Sequence, residues 1–571
     1  MLPVVVRGSF RDVSGYSSFT RLVVRALHEA GCDPFVASFG SGAFSQYIPS
    51  DEYERRLLDE LAEKPLPDLS LAVVISVSPA SYFNRCYGRS IGYSMIEATR
   101  ISPEWTECCN LSDQTWVPGP FCKKSFEESG VLNAIVMAPG FDTETYRPKT
   151  SDRYGIWDAL KLPFYFIMNG HLFESIEDRK GIKQLVRCFV REFHGDPDVG
   201  LALKTQVLDH SFVDKIQLLN AITGILAVEG HPEDIGRIEI IHRNQTSDEL
   251  ATLYNHPAIK AFVSPTAGEG YGLNMLEAAS CGLHVIATGW SEHVTYLPRS
   301  HFIPLPCELA ELPEEFTDKK TKVYVKGSKW AKVGDEDLME AMRRFYDENR
   351  SKPKDGTAPD FSAMSLVAFG ERMKFEIERS EITQRVITVP ENIQVASGIY
   401  PEEGYFHVDL DPVNSAQVDL LWDANELPFP EGSVQRILAS HIIEHLRDDE
   451  AAKLVYNLWR ILADGGELEI RVPDADVAFD MWDEWMGDPP PPVIDRIRKM
   501  IHGSKDPHVN LWGYTKLERF LKRMGFSDIR RVVGEIMKKD AYDEISEAGI
   551  GKGKTVSLKV VGTKRRGMIR A

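Results

Sequence analysis

Short, strongly apolar runs recur along the chain, each followed by a glycine-containing or polar bend and then by a stretch with helical spacing. Runs this short and this rich in Val and Ile read as buried strands. Strands alternating with amphipathic helices predict parallel α/β sheets. A first set comprises "PVVVRG", "LAVVISV", "SIGYSM", "QTWVPG" and "AIVMAPG", with "SSFTRLVVRALHEAG" as its clearest helix. Periodicity fades over residues 141–163, where two prolines fall, and this reads as a linker. A second set follows in "FYFIMNG", "GLALKTQ", "IEIIHRN", "KAFVSP", "HVIATG" and "HFIPL", closed by the helix "DEDLMEAMRRFYDENR". After the polar break "SKPKDGTAPD" and the helix "SLVAFGERMKFEIERS", a third set begins near residue 385. Its strands read "NIQVASG", "YFHVDLD", "VDLLWDA", "RILASH", "GELEIRVP" and, late, "RRVVGEI" and "TVSLKVVGTK". The expected division is 1–150, 151–350, a return helix and linker over 351–384, and 385–571.

One stretch of the second set, "AFVSPTAGEGYGLNMLEAASCGLHVIAT", carries candidate chemistry. Ala261–Pro265 reads as a strand, Gly268, Gly270 and Gly272 as a permissive bend, and Leu273–Ser280 as a helix stopped by Gly282. Glu269 then lies at the C-terminal edge of a strand, where open parallel sheets bind ligands. The N–H groups at the start of the Leu273 helix suit a phosphate. Glu277 stands one turn further in. Carboxylates accept paired hydrogen bonds from vicinal hydroxyls, so a diphosphate flanked by a ribose and a sugar matches this layout. An ordinary βα turn with two solvated glutamates is the alternative.

Length changes the picture only by requiring several domains: 571 residues exceed one core. Apolar residues at 43% and charged residues at 26% are ordinary for a globular chain. A net charge of -19 argues against nucleic-acid binding by the surface as a whole. The eight cysteines all precede residue 308 and none forms a C-x-x-C pair, so a reducing compartment is expected and no metal site. The opening "MLPVVVRGSF" is too short for a signal peptide. No apolar run approaches the ~20 residues of a spanning helix, and a cytoplasmic location is the expectation.

Residues 1 to about 380 resemble a retaining glycosyltransferase of the GT-B type, in the family 4 group. The resemblance rests on Glu269–Gly-Tyr-Gly-Leu-Asn-Met-Leu–Glu277 and on "SGYSSFTRLVVRALHEAG", "IGYSMIEATRISPEW", "TWVPGPFCKKSFEESGV", "APGFDTETYRP", "DRKGIKQLV" and "SKWAKVGDEDL", in that family's order. It implies that Glu269 binds the donor sugar's hydroxyls and Glu277 the ribose of a nucleotide-sugar. Backbone around Gly270, Tyr271, Gly272, Leu273 and Asn274 would face the donor. The family places an Arg after the first strand of the donor half and a Lys about nine residues later. Here these positions hold His171 and Lys180, with Lys204 and Arg179 as further candidate cations. Gly15 matches a glycine loop near the donor phosphate, and Glu97 and Arg100 match a loop on the acceptor side. The implied reaction is glycosyl transfer with retention to a glycan or other hydroxyl acceptor, without a bound metal.

Residues from about 385 resemble a class I methyltransferase dependent on S-adenosylmethionine, through "YFHVDLDPVNSAQVDLLWDANELPFPEGSVQRILASHIIEHLRDDEAAKLVYNLWRILADGGELEIRVPD". The resemblance implies a ribose contact at Asp409, an adenine contact at Asp423 beside Ala424, and a methyl-transfer site at His441, Glu444 and His445. The first loop departs from the pattern: Ala396 and Ser397 stand where the family has glycine and cysteine, and Gly398 alone remains. His508 matches a histidine late in the family's domain. The fold expectation is therefore α/β throughout, two Rossmann-like domains in GT-B arrangement and then a third. The leading functional expectation is a bifunctional enzyme whose methyltransferase acts on the glycosylated product. Alternatives are a degenerate methyltransferase-like binding module, a glycosyltransferase acting on modified DNA bases, and a nucleotide-sugar epimerase.

Overall fold

A computed structural model describes residues 3–11, 14–38, 52–67, 72–80, 83, 89–150, 154–155, 157, 160–172, 178–207, 211–316, 323–354, 356–379, 389–396, 401–409, 418–421, 424, 427, 429–473, 475, 511–532 and 557–564. The chain divides into two compact units, the first running to Thr383 and the second from Gln384.

The first unit opens with β1 (Val4–Gly8), α1 (Gly15–Glu29), β2 (Phe35–Ser38), α2 (Glu52–Glu63), β3 (Val73–Val77), β4 (Arg89–Tyr93), α3 (Pro103–Leu111), β5 (Gln114–Val117), α4 (Pro120–Glu128) and β6 (Ala134–Val136). The strands form a parallel sheet in the order β2-β1-β3-β4-β5-β6. Helix α1 starts where the Ser14 hydroxyl accepts the Ser17 N–H, and it buries Phe19, Val23, Val24 and Leu27 on the sheet. Strand β2 was not among the expected strands. Its "FVAS" is brief and only half-buried at both ends, so it lacks a continuous apolar signal.

The second half of the unit has β7 (Phe164–Asn169), α5 (Ile182–Phe193), β8 (Val199–Lys204), α6 (Phe212–Glu229), β9 (Ile238–Ile241), α7 (Ser247–Asn255), β10 (Ile259–Ser264), α8 (Leu273–Ser280), β11 (His284–Thr288) and β12 (Phe302–Leu305). These strands are also parallel, in the order β12-β11-β10-β7-β8-β9. An unexpected antiparallel pair, β13 (Cys307–Glu311) and β14 (Lys329–Val333), follows. Exposed charged residues interrupt both strands, Glu308 and Glu311 in β13 and Lys329 and Lys332 in β14, which hides the pair from an apolar-run reading. After α9 (Asp335–Asn349), helix α10 (Leu366–Arg379) crosses back and packs on α1, adding Phe369, Met373 and Ile377 to the first half's core. A Cβ on Gly370 would stand 1.9 Å from the Ala26 carbonyl oxygen, so only glycine permits that approach.

The second unit contains β15 (Asn392–Val395), β16 (Phe406–Asp409), β17 (Leu420–Leu421), β18 (Val434–Ser440), α11 (Asp448–Ile461), β19 (Leu462–Pro473), α12 (Tyr514–Arg523), β20 (Phe526–Arg531) and β21 (Ser557–Lys564). Its sheet runs β17-β16-β15-β18-β19-β21-β20, with β21 antiparallel to both neighbours. The late strand expected at "RRVVGEI" instead begins at Phe526 and ends at Arg531. A register shift between Ser527 and Arg530, with Asp528 at φ 48°, interrupts the alternation that would have marked it. All three sheets reverse strand order at one point: between β1 and β3, between β7 and β10, and between β15 and β18. Such crevices at the C-terminal strand ends are where open α/β sheets take ligands.

Candidate functional site

The loops after β7 and β10 flank the second of these crevices, and they interlock. Gly181, at φ 77°, opens α5 where a Cβ would lie 2.6 Å from the Pro265 carbonyl oxygen. The Arg179 carbonyl accepts the Ala267 N–H at 2.7 Å and the Thr266 hydroxyl at 3.2 Å. These bonds bring side chains almost ninety positions apart into contact. Lys180 Nζ lies 2.6 and 2.8 Å from the two carboxylate oxygens of Glu269, which is 5% exposed. Arg179 donates to the Gly268 carbonyl at 2.7 Å and stands 4.0 Å from the same carboxylate. Burial alone would raise the Glu269 pKa, but Lys180 and Arg179 outweigh it and hold the group below the usual carboxylate range.

A second tier supports Glu269. Its N–H donates to Ser291 Oγ at 3.0 Å, and Ser291 Oγ lies 3.2 Å from His293 Nδ1. Nε2 of His293 faces the Thr288 carbonyl at 2.7 Å, so that nitrogen is the donor. Ser291 holds φ 83°, a left-handed backbone uncommon outside glycine. None of these three residues stood out in the sequence.

Two more basic groups sit at the same edge. Lys204 ends β8, and burial with no compensating carboxylate pushes its ammonium down to about 8. His171 follows β7. Burial, then Lys204 and Lys180 beside it, push it down to about 4, so it is neutral at pH 7 rather than a cation. Buried polar atoms without a hydrogen-bond partner among the described residues cluster here too: Thr205 Oγ1, both amide atoms of Gln206 and of Gln245, and Ser264 Oγ. Leaving such a group unbonded costs about 1–3 kcal/mol. These six atoms belong to four side chains at or just after the ends of β8, β9 and β10, on the same edge of the sheet.

The helix on the other side of the crevice begins at Leu273 after Gly272, whose φ is 90°. Asn274 donates to the Asn169 carbonyl at 2.6 Å, tying the start of α8 to the end of β7. The first N–H groups of an α-helix have no intrahelical partner, and those of Leu273 and Asn274 occupy that position. The Tyr271 side chain is buried and donates to the Pro139 carbonyl at 3.1 Å, while Tyr296 donates to the Tyr271 and Gly272 carbonyls. Tyr271 thus contributes its backbone and not its ring to the edge. A Cβ on Gly270 would meet Met95 at 2.8 Å. Glu277 lies near Tyr146, Tyr254 and Asp142, with no cation to offset its burial, and its carboxyl is pushed up to about 8.

Glu97, in the loop after β4, reaches this network from the first half. It stands 3.4 Å from Arg179 and accepts the Tyr324 hydroxyl at 3.0 Å. Gly268 lets the loops meet, since a Cβ there would stand 2.2 Å from the Glu97 carbonyl oxygen. Tyr16, in the first turn of α1, pairs with Ser94 at 3.0 Å beside Glu97. Gly15 opens α1 in open space, and Arg100 is exposed outside the network.

In the second unit, β15 and β18 flank the crevice, and each is followed by a non-glycine residue in left-handed backbone: Ala396 at φ 53° and His441 at φ 52°. His441 Nδ1 is 3.1 Å from Glu444 Oε1, and His445 closes the same turn. Asp409 ends β16, one strand over, and Ala424 is buried. Ser397, Gly398, Asp423 and His508 lie outside the described residues. The described groups at this edge are Ala396 in left-handed backbone at the end of β15, a carboxylate at the end of the neighbouring strand β16, and Glu444 beside His441. One further cluster, His194, His231 and Glu233, has ligand-type atoms close together on the far side of the second sheet.

Residues 391–470 match the family described as a methyltransferase domain. No curated protein matches the chain. Among solved structures, the chain is similar to Anabaena HepE in complex with UDP, at 12% identity over 66% of this chain and 100% of that one, with a TM-score of 0.45. It is likewise similar to sucrose-phosphate synthase from Thermosynechococcus elongatus, at 15% identity, 66% and 99% coverage and a TM-score of 0.45. A glycosyltransferase from Rickettsia africae aligns at 13% identity, 66% and 100% coverage and a TM-score of 0.45. The chain thus carries two six-stranded parallel sheets followed by a third sheet, and residues 391–470 in the third match the methyltransferase-domain family.

Proposed function

We propose that the first unit is a retaining glycosyltransferase of the family 4 group, which moves a sugar from a nucleotide-sugar to a hydroxyl acceptor. We infer that the second methylates the glycosylated product from S-adenosylmethionine. One observation carries the first part: a carboxylate held ionised by Lys180 and Arg179 lies at the same sheet edge as Lys204, whose ammonium has no compensating carboxylate. Glu269 accepts sugar hydroxyls, as an ionised carboxylate does. Lys204 and the N–H groups at the start of α8 take the diphosphate, and the unbonded amides of Gln206 and Gln245 serve the nucleoside end. Glu277 faces the ribose.

The chemistry follows from where charge grows. As the bond between the anomeric carbon and the diphosphate oxygen breaks, negative charge gathers on the leaving phosphate. Fixed cations then favour the transition state over the ground state. The acceptor oxygen bonds to the same face, and its proton passes to the departing phosphate oxygen. Glu97, joined to Arg179, brings the acceptor half against the donor half, as bringing reactants into one geometry requires. S-Adenosylmethionine, when bound, supplies an electrophilic methyl group. Asp409 and the bend at Ala396 are the residues here that would hold it.

Incubation with UDP-, GDP-, ADP- and dTDP-sugars and a glycan acceptor, followed by proton NMR of the new anomeric centre, tests this reading. The donor's configuration in the product supports it, and inversion contradicts it. Methyl transfer to the glycosylated product, and not to the starting acceptor, is the expected order. Among the described residues no helix is long and apolar enough to cross a membrane, and we place the reaction in the cytoplasm.

A further inference from the structure

We propose that the first unit holds a second site, remote from Glu269, for a divalent transition-metal ion of the zinc class, bound by His194, His231, Glu233 and Asp234. The inference is independent of the function proposed for either unit. The donors come from two loops at one edge of the second sheet. His194 directly follows α5, which ends at Phe193. His231, Glu233 and Asp234 stand between α6 and β9, at the short helical turn Pro232–Arg237. Strands β8 and β9 begin at Val199 and Ile238. The cluster therefore lies at the N-terminal strand ends, opposite the edge that carries Lys204 and Glu269.

The spacing of the donors fits one small ion. His194 Nδ1 and His231 Nδ1 lie 3.8 and 3.7 Å from Glu233 Oε1, and His194 Nδ1 lies 3.2 Å from Asp234 Oδ2. The ligand-type atoms of His194, His231 and Glu233 all fall within 4.8 Å of one another. Zinc takes histidine nitrogens and carboxylate oxygens at about 2.0–2.2 Å in a tetrahedron, whose edges are therefore about 3.3–3.6 Å. The three donor separations bracket that range. Among the described residues, these two carboxylates are the polar partners of both rings.

The two loops are also held in register without the ion. Arg237 Nη1 donates to the carbonyls of Phe193 and Asp196, at 2.8 and 3.0 Å, on either side of His194. The same guanidinium pairs with Asp234 Oδ1 at 2.6 Å and leaves Oδ2 toward His194. Outer partners of this kind orient the groups that bind a metal. The imidazoles are stacked, with centroids 3.6 Å apart and planes 20° from parallel. Each lone pair lies in its ring plane, so an ion shared by both nitrogens parts the rings to about 5 Å between centroids. Both have room to turn, since their side chains are 41% and 32% exposed.

Donor type selects the ion. Imidazole nitrogen with carboxylate oxygen suits zinc, cobalt or nickel, whereas calcium and magnesium take oxygen ligands. The imidazoles must bind as neutral rings, so affinity falls as pH drops through the histidine range. Helix α5 leads from Gly181, beside Lys180, to His194. An ion here staples the far end of that helix to the turn before β9. His194 and His231 lie far apart in sequence, which hides the set from a search by spacing.

Titration of the full chain, free of any affinity tag and stripped with EDTA, with Co²⁺ and then Zn²⁺ tests the site. The expected result is one Co²⁺ per chain with the intense visible bands of a four-coordinate ion, displaced by Zn²⁺. Saturating Zn²⁺ should raise Tm by mass action. H194A, H231A and E233Q should each weaken Zn²⁺ binding about 100-fold or more, beyond the usual loss of an outer partner. Glu233 is 62% exposed, so E233Q should melt like the wild type in EDTA and carries the test if a histidine variant fails to fold. Binding that survives E233Q and both histidine substitutions overturns the proposal. A pale, six-coordinate Co²⁺ spectrum, or no binding by about 100 µM Zn²⁺, overturns it too.

Discussion

Two sheet edges in this chain share a topology and differ in sign. The crevice between β7 and β10 sets Arg179 and Lys180 on the buried Glu269 carboxylate, with Lys204 at the same sheet edge. The crevice between β15 and β18 gathers Asp409, Glu444, His441 and His445. On the proposed reading the two edges take their ligands at the same place in the fold, and the side chains suit an anionic ligand at one and a cationic one at the other. Function is carried by the groups grafted on the edge and not by the edge itself.

The largest break in that contrast should come from Glu269→Ala. It removes the sugar's acceptor and leaves Lys180 without its carboxylate, while Arg179 keeps Glu97. Glycosyl transfer should fall by about 10²–10³-fold, the range seen when a charge-stabilising group is lost. S-Adenosylmethionine binding measured on the same preparation should not change.

Gly268→Ala comes next. Its Cβ would stand 2.2 Å from backbone at Glu97, which cannot rotate away. Separating the two loops should cost about 1–3 kcal/mol and lower kcat more than it raises the nucleotide Kd. Thermal melting and steady-state kinetics would show both effects.

Lys204→Met sharpens the comparison because its two effects oppose. Nucleoside diphosphate binding should weaken about 10–100-fold, or ~1.4–2.7 kcal/mol, yet the unliganded protein should melt higher. The folded Lys204 pKa, at about 8, lies below the ordinary lysine value. Between those two values the unfolded chain binds more protons, so unliganded stability should rise with pH from about 8 toward 10.4. The substitution should flatten that rise.

Glu277→Gln should have the smallest effect. Its carboxyl is raised to about 8 in the folded chain, so the folded state binds more protons between the ordinary value near 4.3 and 8. Wild-type stability relative to Glu277→Gln should therefore fall as pH rises through that window. Nucleotide affinity should drop by about tenfold, one ribose contact's worth. Parallel melting curves for the two proteins at several pH values check the sign.

The central strands were legible in the sequence because parallel strands buried on both faces read as nearly continuous apolar runs. Strand β1, at "VVVRG", and strand β10, at "IKAFVS", show this. Exposed or bulged strands such as β13, β14 and β20 escaped because half their residues face water or lose the two-residue period. Glu269 was singled out from its place at a strand end and Lys180 from the resemblance; their contact with one another shows only in the fold. Arg179's link to Glu97, and the support from Ser291, His293 and Thr266, depend on contacts between loops far apart in sequence. His171 was expected among the cations. Only its surroundings, burial beside two lysines, reveal it as a neutral ring.

Titration of UDP, GDP, ADP and dTDP and their sugars into the wild-type chain and Lys204→Met by calorimetry tests the central claim most directly. The account predicts that at least one nucleoside diphosphate binds the wild type and binds the variant at least tenfold more weakly. Binding that ignores the substitution, or no binding by any of the nucleotides, would contradict it.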